Sequence, residues 1–170
     1  MIDILKSFLF APILTETIQT NDVPLISVSD KLQEKLKRPG KKSIAIRQVD
    51  AGSTNDCEQE IAALENPIYD LNRFGIKTVA SPRHADMLLV TGPVTPGMKE
   101  ALVKAYEATP EPKIVVAVGD GAISGRISKN ISGHNLCKVS ECVPVDFEIP
   151  GNPPSPQEIM TRLLGVLKNV

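Results

Sequence analysis

ADMLLVT, residues 85–91, reads as a strand with no wet face. A half-exposed strand alternates apolar and polar residues, whereas this run is nearly continuous. It is also too short for an independent helix. Such runs belong in parallel sheets, where helices cover both faces. KIVVAV, residues 113–118, repeats the pattern. Between them, Pro96–Ala108 places Met98, Leu102, Ala105 and Tyr106 on one helical stripe. Strand, helix, strand is the unit from which a parallel sheet is built.

Working outward, SIAIRQV (43–49) alternates and is rich in β-branched residues, which predicts a strand. Glu58–Leu64 reads as a helix, followed by a turn at Asn66-Pro67. Tyr69–Phe74 looks helical and stops at Gly75, and Ile76–Ala80 reads as a strand. Val145–Ile149 is the last strand. Gln157–Leu167 is a closing helix, with Ile159, Leu163 and Leu167 on one face. The alternation predicts an α/β fold: a doubly wound, mainly parallel sheet with helices on both faces.

Residues 1–42 differ in texture. Ile2, Leu5, Phe8 and Leu9 recur at helical spacing until Pro12, and DKLQEKLKRPGKK (30–42) is a basic link. This reads as an N-terminal docking extension and linker ahead of a domain over 43–170. A stretch so short is unstable alone. It either docks on a partner or membrane surface, or packs on its own domain.

Composition excludes several classes. The chain has 170 residues and a net charge of -1, so no strong field is available to gather nucleic acid or anionic lipid. It has no Trp and two Tyr, which leaves little for a base-stacking surface. Cys57, Cys137 and Cys142 are an odd, sparse set rather than a disulfide framework. No basic, small-residue leader is evident, and no apolar run reaches the roughly 18 residues of a membrane span. Location in the cytoplasm is expected.

Open parallel sheets place their sites beyond the carboxyl ends of the strands. That rule selects three loops: DAGSTNDCEQE after Val49, GDGAISG after Val118 and PGNPPSP after Ile149. Prolines stiffen the third loop, and Gly151 supplies its bend.

Asp50–Glu60, RFGIKTVASPRHAD (73–86), Thr91–Thr95, Pro112–Ile114 and VPVDFEIPGNPPSP (143–156) occur in an order that resembles one family. It is the small, iron–sulfur subunit shared by complex I (the 20 kDa type), group 4 [NiFe] hydrogenases and formate hydrogenlyases. The resemblance covers about residues 43–167 and implies a flavodoxin-like domain. It also implies a large-subunit-like partner, membrane subunits beneath, and a place on the cytoplasmic face of the membrane. The family holds a 4Fe–4S cluster on four cysteines, and those positions here are Thr54, Cys57, Gly121 and Asn152. Three of the four are not cysteine. A cuboidal cluster takes one thiolate for each iron. The resemblance therefore implies a structural or regulatory subunit with no cluster and no independent catalysis. The alternative is an electron-transferring subunit with a retained or altered iron–sulfur site. Arg83 occupies the family position beside the cluster; without one, it needs a carboxylate such as Glu58 or Asp86.

Other chemistries stay open on the same loops. Thr54, Asp56, Asp120 and Asn152 offer oxygens of the kind that suit Mg²⁺ or Ca²⁺, although such residues also make turns. Gly119, Gly121 and Gly125 are placed like a phosphate loop, but the last falls one place late for G-x-G-x-x-G. Cys137 and Cys142, C-x₄-C, are a weak metal signal or two ordinary thiols. His84 reads as a hydrogen-bonded loop residue, and His134 has no motif around it. Glu58 and Glu60 do not share a helix face, so they are no acid/base pair. Ser53 and Ser124 have no base at motif spacing.

Overall fold

The computed structural model of the chain describes residues 43–126 and 136–167, with side chains through Gly165. The expected extension over 1–42, and His134, lie outside the described residues.

Five strands form the sheet: β1 (Ile44–Asp50), β2 (Ile76–Thr78), β3 (Met87–Thr91), β4 (Ile114–Val118) and β5 (Phe147–Ile149). They lie in the order β2-β1-β3-β4-β5, and every pairing is parallel. This is the doubly wound, flavodoxin-like order. Register is set at the centre, where Met87 faces Ile46 on β1 and Ile114 on β4. The helices are α1 (Asp56–Ala63), α2 (Pro96–Ala108), α3 (Asp120–Ser124) and α4 (Pro156–Leu167).

Each residue of β3 and β4 is buried because both faces are covered. Met87, Leu89, Val116 and Val118 face Ile61 of α1 and Ile159 and Leu163 of α4. Leu88, Val90, Val115 and Ala117 face Leu102 of α2 and Ala122 of α3. Alternation is present, but both phases are apolar, so the sequence reads as an unbroken run.

Several elements are shorter than the sequence predicts. The segment read as a helix over Tyr69–Phe74 is one 3-10 turn, Leu71–Phe74, which begins after Asp70 at φ 43 and ends at Gly75 at φ 79. Strands expected from Ala85 and Val145 begin two residues later. In both cases an aspartate intervenes. Asp86 donates its N–H to the Ala45 carbonyl at 2.7 Å and accepts the Ala45 N–H on Oδ2 at 2.9 Å. Asp146 does the same to Val115, at 2.9 and 3.0 Å. These carboxylates therefore clamp the amino edge of the sheet, one across β1 and β3, the other across β4 and β5. DGAIS (120–124) forms the short helix α3 just after β4, closed at Gly125 with φ 72.

Lys113, only 7% exposed, closes α2. Its ammonium donates to the Tyr106 and Thr109 carbonyls at 2.8 and 3.1 Å, lies 3.9 Å over the Tyr106 ring, and pairs with Glu111 at 3.4 Å. A cation at the carboxyl end of a helix satisfies carbonyls that have no partner within the helix.

Candidate site at the carboxyl edge of the sheet

The loops after β1, β4 and β5 meet at the carboxyl edge, as the parallel topology requires. The first loop is organised by its own side chains. Asp50 Oδ1 accepts the N–H groups of Gly52 and Ser53 at 2.8 and 2.9 Å. Ser53 Oγ accepts the Asn55 N–H at 3.1 Å, and Asn55 takes a left-handed φ of 72. The Thr54 hydroxyl donates to Asp56 Oδ2 at 2.7 Å. This turn delivers Cys57 into the first turn of α1, where it is 9% exposed.

The second and third loops are strapped together. Asp120 donates its N–H to the Gly151 carbonyl at 2.7 Å and accepts the Gly151 N–H on Oδ1 at 2.9 Å. Gly119 donates to the Ile149 carbonyl at 2.8 Å. Gly119 has φ 90, and a Cβ there would stand 2.5 Å from Cys57 Sγ. Only glycine gives both that backbone conformation and that approach. The first loop thus touches the second through sulfur on glycine.

Cys57 is a protonated thiol at neutral pH. Burial pushes it from the ordinary 9.0 to about 11, assisted by the charges of Glu58, Asp56, Asp120 and Glu60. A helix amino terminus ordinarily favours thiolate; here desolvation and four carboxylates outweigh it. Both Glu58 carboxylate oxygens are buried with no hydrogen-bond partner among the described residues.

The four positions singled out in the sequence differ in what they present. Thr54 and Asn152 are exposed, Cys57 is buried, and Gly121 is partly buried in the first turn of α3. A Cβ on Gly121 would meet Pro93 Cδ at 3.0 Å and the Arg126 carbonyl at 3.4 Å. A side chain there would need Pro93 to give by a few tenths of an ångström. One thiol, one hydroxyl donating to Asp56, one amide and one glycine do not fit a cluster that takes four thiolates. Within the oxygen set, Asp56 accepts from the Thr54 hydroxyl and Asp120 accepts from the Gly151 N–H. Among the described residues, no group of three or more His, Cys, Asp or Glu is placed to hold a metal ion. Helix α3 has five residues, too short to anchor a phosphate as a full helix would.

Arg83 and His84 come from the segment that leads into β3. They lie in the 3-10 turn Pro82–His84, immediately before β3, and both are exposed. All strands run the same way, so this turn is at the amino edge and the three loops are at the carboxyl edge. The two ends of β3, Met87 and Thr91, are four residues apart, a separation of about 13 Å.

A fourth loop, after β3, belongs to the site and is missing from the three chosen above. Ala51 donates its N–H to the Thr91 carbonyl at 3.0 Å, and Thr95 donates its N–H to the Ala51 carbonyl at 2.9 Å. Pro93 covers Gly121, and Thr95 stands over Gly52. This closes the crevice between β1 and β3, where the strand order reverses. The same rule that selects loops after parallel strands marks T-G-P-V-T (91–95) once MLLVT is read as a strand.

Residues 55–166 match the family model described as NADH ubiquinone oxidoreductase, 20 Kd subunit. The probable membrane-bound hydrogenase subunit mbhJ of Pyrococcus furiosus is 46% identical over 122 residues, covering 72% of this chain and 72% of that protein. Formate hydrogenlyase subunit 7 of Escherichia coli is 43% identical over 141 residues, covering 81% of this chain and 52% of that one. A chain in the structure of the membrane-bound sulfane sulfur reductase, an archaeal respiratory membrane complex, superposes with a TM-score of 0.62 at 37% identity. That superposition covers 75% of this chain and 68% of the other.

Proposed function

Because this chain belongs to the family of the NADH ubiquinone oxidoreductase 20 kDa subunit, we propose that it is a small-subunit-like component of a multi-subunit hydrogenase or complex I-type assembly. In this reading it has no 4Fe–4S cluster of its own and acts as a structural or regulatory subunit. Its direct partner is a large-subunit-like protein, with membrane subunits beneath, and it sits peripherally on the cytoplasmic face. No described helix is long and apolar enough to cross a membrane, which is compatible with that placement.

The observation that carries the reading is the donor set at the carboxyl edge. The frame of three loops is well made: Asp50 orders the first, and Asp120 straps the second to the third. The thiolates that would give the frame a redox function are reduced to one buried, protonated Cys57. Electron transfer needs a centre, whereas shape and docking need only the frame.

The test uses the full chain in its native complex, purified anaerobically by an affinity tag. A large-subunit-like protein is expected to copurify. The iron and acid-labile sulfide ascribable to this chain, measured after dissociating it from its partners under argon, are expected far below four per chain. Stoichiometric iron and sulfide with a reducible absorption band would replace this reading with the electron-transferring alternative. Isolation of the chain alone would sink the assembly reading.

A further inference from the structure

The two cysteines outside the family motif are brought together. Cys137 and Cys142 both pack against the core layer beneath α2 and α3, and both are partly exposed. The two thiols lie on either side of one short turn, close enough for Cys137 to act on the Cys142 thiol. The segment between them is held by its own backbone. Cys137 exchanges two backbone hydrogen bonds with Val94, at 3.0 and 2.9 Å. The 3-10 turn Val139–Glu141 follows, and the Cys142 N–H closes it on the Val139 carbonyl at 2.9 Å. The backbone that carries both thiols is thus fixed by hydrogen bonds.

We propose that Cys137 and Cys142 are a dithiol site that closes reversibly to an intramolecular disulfide by exchange with a low-molecular-weight disulfide such as oxidised glutathione. One protein thiolate attacks a sulfur of the small disulfide; a protein–glutathione bond forms and one glutathione leaves, taking up a proton. The second protein thiolate attacks the protein sulfur of that mixed disulfide. The Cys137–Cys142 bond forms and a second glutathione leaves. Both cysteines are oxidised, one glutathione disulfide is reduced to two thiols, and the atoms balance. The second step is fast because its nucleophile already lies near the sulfur that it attacks.

Cys57 does not take part. It is buried against Gly119 and held as thiol. The pair sits where closure matters to the site: a Cβ at Gly125 would lie 3.0 Å from the Cys137 carbonyl carbon, and Val94 adjoins the Pro93 that covers Gly121. Oxidation therefore stiffens the segment against which the loops after β3 and β4 pack. The exchange accelerates above neutral pH, since burial raises Cys142, with Cys137 and Glu141 adding to the rise and Lys99 opposing it.

Lys138 lies between the two cysteines, which gives a direct readout on the unmodified chain. The native protein is treated with oxidised glutathione, remaining thiols are blocked, and trypsin cuts after Lys138. The expected result is a loss of two hydrogens in intact mass, and two peptides that separate only on reduction. Cys137→Ser and Cys142→Ser are each expected to lose the cross-link and to retain one glutathione adduct instead. Accumulation of the glutathione adduct on the native chain without loss of two hydrogens would overturn the proposal. A cross-link that includes Cys57 would also overturn it.

Discussion

Cys57 is the residue on which the site turns, and its proton is measurable. Its folded pKa of about 11 exceeds the ordinary 9.0, so the folded state holds the proton more tightly than the unfolded chain. The corresponding stability is fully present below pH 9 and is lost as pH rises through 11. The stability difference between the native chain and Cys57→Ala is therefore expected to be constant to pH 9 and then to shrink towards 11. A difference that stays flat over that range would remove the argument for a buried thiol. The two edge aspartates make a second residue-scale comparison. Both grip a neighbouring strand through the same paired bonds, but Asp86 is 9% exposed and Asp146 is exposed. A buried N–H left without its charged acceptor costs about 2–3 kcal/mol, and one that water reaches costs about 1. Asp86→Ala is expected to lower unfolding free energy in denaturant by the larger amount and Asp146→Ala by the smaller. Equal losses would mean that burial does not set the difference. Neither aspartate was legible as a clamp in SPRHAD or VPVD, because the partners lie 41 and 31 positions away.

At the scale of elements, α2 was read with both ends correct because Pro96 opens it and its apolar stripe is regular. The cap at its far end, Lys113, is a tertiary feature: the residue lies beyond the helix and turns back onto it. Helix α4 shows a signal that the sequence did carry and that a proline-rich reading passed over. Ser155 and Glu158 form a reciprocal cap: Ser155 Oγ accepts the Glu158 N–H and Glu158 Oε2 accepts the Ser155 N–H, both at 3.3 Å. Serine followed three residues later by glutamate, with proline at the first helical position, is a helix-start signature. Ser155→Ala is expected to lower stability by about 1 kcal/mol and to speed amide exchange in the first turn of α4. No change in either would show that the proline alone sets this start. Strand β2 is shorter than the sequence suggests and pairs with only the first three residues of β1.

For the whole molecule, one prediction concerns how the loops are joined. Asp120→Ala removes the carboxylate that holds Gly151 while leaving the sheet untouched. It is expected to speed hydrogen exchange at the Gly151 amide by about tenfold, the effect of about 1.4 kcal/mol, and to leave β3 and β4 protected. Uniform loss of protection would mean that the strap supports the fold rather than the loop. The sequence by itself determined the doubly wound architecture, because two short, wholly apolar runs with a helix between them have few other ways to bury both faces. It also determined that the loops after β1, β4 and β5 gather at the carboxyl edge, since parallel strands bring their ends together wherever they lie in the sheet. Only the tertiary structure decided that Asp86 and Asp146 grip neighbouring strands, that Pro93 lies against Gly121, and that Cys137 comes near Cys142. These depend on strand order and on distances between segments far apart in the chain. Local pattern carries no information about such separations, whereas close packing fixes them to fractions of an ångström.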